Sequence, residues 1–210
     1  MANAKKKDEN VVSMFPVAEG AAGTELAAAD LAQALVDLGN VVAAGSTSYL
    51  KFLKTGEWIH GRDNDEIEAD ELLAVNPASF VIGWQGWVDG KPKDGPVVPV
   101  SQRATLPQES ELEALPEGEM NGWSKILGVT FKSVKEGVTL QYNTSSYGGK
   151  TAISKLMRDV GMGMVEHPDA PIALVKLSGD SYKHAKYGTI HTPVITVDGW
   201  ANEAGEPVTV

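Results

Sequence analysis

The chain has 210 residues, 42% of them hydrophobic, enough for one domain of moderate size, or two small ones, whose core needs no covalent staples. It has no cysteine, which excludes disulfides, thiolate metal sites and a cysteine nucleophile and fits a reducing compartment. The net charge of −10 argues against a histone-like electrostatic footprint, though a local basic face can still act alone.

That charge is uneven. Residues 1–120 carry 9 Lys/Arg against 20 Asp/Glu, and residues 121–210 carry 9 against 8. Between 125 and 198 the balance is positive, 9 against 6, so an anion-binding face is expected in the second half. No stretch approaches the ~20 apolar residues of a membrane span. The opening MANAKKKDENVV lacks the apolar run of a signal peptide, so an intracellular protein that avoids the membrane is expected.

In chain order, residues 1–23 read as a flexible arm rich in Ala, Gly, Lys and Glu, with one apolar knot at Val11, Val12, Met14 and Phe15. Residues 24–40 hold a helix: Thr24 is its N-cap, Leu26, Leu31, Leu35 and Leu38 form its apolar stripe, and Gly39-Asn40 stop it. From residue 45 to 200 the texture is β. SYLKFLKTGEWIHG reads as a hairpin turning at Thr55-Gly56, and an acidic connector follows. A strand is predicted over Phe80 to Val88, then a Gly/Pro/Lys turn, then a strand over Val97 to Val100. An acidic, proline-bounded loop leads to WSKILGVTFKSVKEGVTLQYNT, a hairpin with its turn at Lys135-Glu136-Gly137. A helix over Lys150 to Met164, an apolar strand PIALVKLS, a final strand within KYGTIHTPVITVDGW and a short tail, 201–210, complete the chain. The class is α+β, mainly β. One helix inserted after the third strand is the order of an OB-like barrel, and a β-sandwich with an added N-terminal helix is also compatible.

The stretch LQYNTSSYGGKTAISKLM places Gly149-Lys150-Thr151 between a strand and a helix, as in a phosphate-binding P-loop. The P-loop pattern needs glycine five positions before Gly149, and Thr144 stands there. Nucleotide hydrolysis is therefore not expected. Ser145 or Ser146 would cap the helix, and Gly148-Gly149 would permit positive φ. Tyr147 and Lys150 remain candidates for stacking on a base and meeting a phosphate.

A second cluster, DSYKHAKYGTIHTP, packs Tyr182, Lys183, His184, Lys186, Tyr187 and His191 together. Rings interleaved with cations suit single-stranded nucleic acid, and the same residues suit an ordinary hairpin with solvated lysines. The histidines have too few partners for a structural metal site, so no metal or cofactor is expected. Trp84 and Trp87, three apart on a strand, face opposite sides, one to the core and one to the surface. Lys91 and Lys93 in the following turn would extend a binding groove. The acidic runs Asp63 to Glu71 and Glu109 to Glu119 lack the glycine of a calcium loop and read as solvated loops or as docking surfaces for basic host or phage proteins.

Three segments, SYLKFLKTGEWIHG, LLAVNPASFVIGWQGWVDG and GDSYKHAKYGTIHTPVITVDGW, together resemble a family of uncharacterised proteins of tailed bacteriophages and prophages over residues 47–200. The resemblance implies life in the host bacterial cytoplasm or the virion. By analogy with small β-rich phage proteins, it points to single-stranded DNA binding in replication or recombination, not to catalysis. The tail NEAGEPVTV lacks the strongly acidic end of many such proteins. The expected DNA-binding residues are Tyr147, Lys150, Tyr182, Lys183, Lys186, Tyr187, Trp84, Trp87, Lys91 and Lys93, and a homo-oligomer is expected. The alternatives are an acidic module that inhibits a host nuclease or defence complex, and a virion structural protein that clasps a neighbour with its arm.

Overall fold

The computed structural model describes residues 47–118, 121–202 and 205–208. The arm expected at 1–23 and the helix expected at 24–40 lie outside the described residues. Among the described residues are eleven strands and one α-helix: β1 (Ser48–Phe52), β2 (Trp58–His60), β3 (Asp65–Glu66), β4 (Leu73–Val75), β5 (Val81–Val88), β6 (Lys91–Pro99), β7 (Gly122–Ser133), β8 (Thr139–Thr144), α1 (Tyr147–Glu166), β9 (Ile172–His184), β10 (Gly188–Ala201) and β11 (Pro207–Val208). The chain is thus α+β and mainly β, with a helix between β8 and β9.

Most of the longer elements stand where the residue pattern puts them, but β3, β4 and β11 fall in or beside segments expected as connector or tail, and β9 runs past the expected PIALVKLS to His184; two further differences have local reasons. The turn expected around Lys91 and Lys93 shrinks to Asp89-Gly90, whose φ values of 50° and 75° are those of a two-residue hairpin turn with the twist of its strands. Lys91 and Lys93 consequently lie on β6, paired with Val88 and Gly86. The helix begins at Tyr147, three residues early, because Ser146 caps it: its hydroxyl accepts the Gly149 N–H at 3.1 Å.

The strands form one mixed sheet in the order β11-β10-β9-β4-β7-β8-β1-β2-β3, with β5 on β7 and β6 on β5. β7 is the branch point. One of its edges carries β8, and the other carries β5 along Gly122–Gly128 and β4 along Phe131–Ser133. Its buried positions shift phase there, from Ile126 and Gly128 to Val129, Phe131 and Ser133, as the strand passes from one partner to the next. Ladders between neighbours are antiparallel except β1 on β8, which is parallel.

The sheet curls until its two arms touch. Trp58 on β2 is buried, sets its ring edge-on to Tyr142 of β8 at 4.9 Å, and donates Nε1–H to the Ser178 carbonyl of β9 at 2.8 Å. The β1–β2 turn presses so close to β9 that a Cβ on Gly179 would meet the Gly56 carbonyl oxygen at 2.7 Å. Inside the curl lie Leu50, Leu73, Val75, Val129, Phe131 and Leu140. Helix α1 adds Ala152, Ile153, Leu156 and Val160 to this core. Its buried positions, 149, 152, 153, 156, 160 and 163, trace one stripe at the helical period. At the far end of that stripe the Trp200 indole of β10 lies against Gly163, where any Cβ would overlap the ring.

This seam generates a pair of opposed expectations. Gly163→Ala inserts a methyl into the Trp200 ring and should destabilise the fold by about 1–2 kcal/mol, overpacking outweighing alanine's better helix propensity. Gly161→Ala, with nothing within 4 Å of the new methyl, should stabilise by up to ~1 kcal/mol. Chemical denaturation of the two variants checks both signs. A third expectation concerns Tyr142, whose phenol burial raises above its ordinary 10.0, with a hydrogen bond to Thr144 pulling the other way. The unfolded phenol ionises first, so this contribution to stability is complete below about pH 10 and falls as pH rises toward the folded value. Tyr142→Phe should flatten that alkaline decline in thermal melts.

Candidate nucleic-acid interface

A cleft of about 630 Å³ opens between the end of β1, the first two turns of α1 and the middle of β10. Its floor is apolar, from Phe52, Leu53, Ile190 and Pro193. Tyr147 and Tyr182 stand in its walls, 84% and 50% exposed. Among the described residues, Lys54 and Lys155 are its charged lining residues and no carboxylate lines it.

Each tyrosine is held by local chemistry. Tyr147 is the first residue of α1, within the turn that Ser146 caps, and its carbonyl accepts the Thr151 hydroxyl at 2.9 Å. The glycines beside it serve close approach and not positive φ, which they do not adopt. A Cβ at Gly149 would run into Thr144 Oγ1, and one at Gly148 would lie 3.2 Å from Thr192 of β10. Gly148 therefore lets the helix start press onto β10 and Gly149 lets it press onto the end of β8, and these contacts carry Tyr147 to the cleft. Tyr182 sits opposite Ile190 on the β9–β10 ribbon, which is exposed continuously from Ser178 to Thr189.

The structure brings some of the expected residues together and separates others. Lys150 lies beside Tyr147 in an adjoining depression that also holds Lys155, Arg158 and Asp159. Lys155 bonds Asp159 at 2.8 Å. Lys54, Lys150 and Arg158 have no carboxylate partner among the described residues. Lys183 follows Tyr182 directly, so strand alternation turns it to the opposite face. Lys186 and Tyr187 form the ribbon tip. There Gly188, at φ 75°, closes a three-residue loop. His184 stacks on Tyr187 at 4.8 Å and accepts the Lys186 N–H on Nδ1, and the Lys186 ammonium lies 5.3 Å from the Tyr187 ring.

The tryptophan arm of the expected groove needs correction. Trp84 is buried at 5% exposure, donates Nε1–H to the Pro107 carbonyl and carries the Lys125 ammonium over its ring, so it cannot stack on a base. Trp87 is half-buried on the same strand. Lys93 is bonded to Glu113 at 2.7 Å, and with Lys91 it lines a separate depression that shares no residue with the cleft. The acidic segments are partly engaged in the same way: Glu68 pairs with Lys135, and Glu71 accepts the Ser133 hydroxyl.

Sequence reasoning missed Lys54, Lys155 and Arg158. A signal existed for two of them, since Tyr147, Lys150, Thr151, Ser154, Lys155 and Arg158 recur at helical spacing on the side of α1 away from its buried stripe. Lys54 had none, because only the curl of the sheet brings the β1–β2 turn to the helix. The cap is testable: Ser146→Ala frees the Gly149 N–H and should cost about 1 kcal/mol in denaturant unfolding. No family model, no curated protein and no solved structure matches the chain.

Proposed function

We propose that this protein binds single-stranded DNA without catalysing a reaction, and that it serves replication or recombination of a bacteriophage in the host cytoplasm. The observation that carries the reading is the cleft. Two exposed tyrosines from remote segments share one concavity, its described lining holds two lysines and no carboxylate, and Lys54, Lys150 and Arg158, in it or in the adjoining depression with Asp159, have no ion-pair partner among the described residues. Tyr147 and Tyr182 would stack on bases, while Lys54, Lys150 and Arg158 meet phosphates. Rings with a cationic rim bind single strands with little sequence preference, because every base has a π-face. Lys186 and Tyr187 at the ribbon tip would extend the contact.

The order of elements supports an OB-like reading of the domain. β4 and β7 pair, β7 and β8 pair, α1 follows, and β9 and β10 return, with β9 closing on β4. This order is compatible with a partly open oligonucleotide-binding barrel, which has its helix between the third and fourth strands. Here the β1–β2 hairpin fills the gap between β8 and the β9–β10 arm. The phage setting rests on the sequence resemblance of residues 47–200.

Fluorescence anisotropy with a labelled oligothymidylate tests the reading. Binding should weaken steeply with salt as counterions cease to be released. Tyr147→Ala and Tyr182→Ala should each weaken it by about 5- to 100-fold, the loss of one base stack. Lys91→Gln, in the separate depression, should leave it unchanged. Absence of binding by the wild-type chain at micromolar concentration and low salt would overturn the proposal.

A further inference from the structure

Tyr182 on β9 and Ile190 on β10 are directly opposite in register. Residues paired in this way project from one face of the ribbon, with Cβ atoms about 4.5–5.5 Å apart. A base stacked on the Tyr182 ring therefore has the Ile190 side chain at its edge. Ile190 is half-buried and lines the cleft, so part of its surface is open to a ligand. Leu53, Pro193 and Val194 continue the apolar lining around it.

Several polar groups of the cleft are already engaged. Ser146 Oγ accepts the Gly149 N–H at 3.1 Å and shares a hydrogen bond with Thr144 Oγ1 at 2.9 Å. The Thr151 hydroxyl donates to the Tyr147 carbonyl. The His191 ring is packed against the β1–β2 turn, where a Cβ on Gly56 would come within 2.6 Å of its Nδ1. Asp180, two residues before Tyr182, accepts the Ser181 N–H and is not among the residues that line the cleft.

A polar base edge turned toward this floor would give up its water without gaining partners, which is costly. The edge that suits the floor is the apolar C5–C6 edge of a pyrimidine, which in thymine carries a methyl group. With that edge inward, the Watson–Crick edge keeps its water. We propose that the cleft favours thymine, and that Ile190 is the side chain that recognises the 5-methyl group of a base stacked on Tyr182. This inference rests on the reading of the cleft as a single-strand site, and it adds a modest bias to a site that otherwise accepts any base.

Oligothymidylate and oligodeoxyuridylate of equal length differ only in that methyl group, so anisotropy titrations with the two isolate its contribution. Burial of one methyl group corresponds to about a fourfold change in affinity, and the wild type should prefer oligothymidylate by about that factor. The ratio should stay constant as salt is raised, although both affinities fall, because methyl burial releases no counterions. Ile190→Ser should bring the ratio to about one and leave the affinity for oligodeoxyuridylate within about twofold of wild type. Ile190→Val, which keeps an apolar branched side chain, should retain most of the preference and serves as the test should the serine variant melt early. Tyr182→Ala should weaken both strands and also lose the preference, since no ring then holds the base against Ile190. Equal binding of the two strands by the wild type, or a preference that survives in a folded Ile190→Ser variant, overturns the inference and leaves the cleft reading standing. Binding of neither strand by the wild type overturns both.

Discussion

The fold depends on the way Trp58 joins two arms of the sheet. Its indole is packed against Phe52 and Tyr142, and its one donor reaches the Ser178 carbonyl on β9. A buried indole N–H without a partner would cost more than the bond itself returns, so this hydrogen bond fixes where β9 passes. A curled sheet otherwise leaves β1 and β9 as separate walls. With Trp58 between them, the β1–β2 turn is set against β9 and β10 closely enough that Gly56 and Gly179 admit no side chain. The cleft takes its floor from one side of that junction.

The helix is placed by the same kind of constraint. Small residues at both ends of its buried stripe let backbone approach neighbour: Gly148 and Gly149 at β10 and Thr144, and Gly163 at Trp200. Large residues between them fill the core. The Gly-Gly pair in what resembles a phosphate loop is therefore a packing device. Its consequence for function is indirect, because it carries Tyr147 to the cleft and leaves Lys150, Lys155 and Arg158 on the free side of α1.

Charge follows the architecture. Several acidic side chains in the first half serve local bonds, as Glu113 does to Lys93, Glu68 to Lys135 and Glu71 to Ser133. The described residues that line the cleft, by contrast, include no acidic side chain. An acidic total and a surface suited to a polyanion coexist because field strength near a surface is set by local charge within about a Debye length of 8–10 Å.

Local patterns in the sequence specified the type of most of the longer elements, some of the turns and one exclusion. Alternation marked the β1–β2 hairpin, Gly137 marked the turn between β7 and β8, and Thr144 broke the P-loop pattern. These are legible because backbone periodicity and the left-handed tolerance of glycine act over a few residues. The tertiary structure alone decided that Trp84 is core, that Lys183 turns away from Tyr182, and that Tyr147, Tyr182 and Lys54 meet. Each of these depends on pairings between remote segments, β1 on β8 and β9 on β4, and on the curl that Trp58 fixes. No local period encodes such pairings, because they arise only when strands far apart in the chain bury a common core.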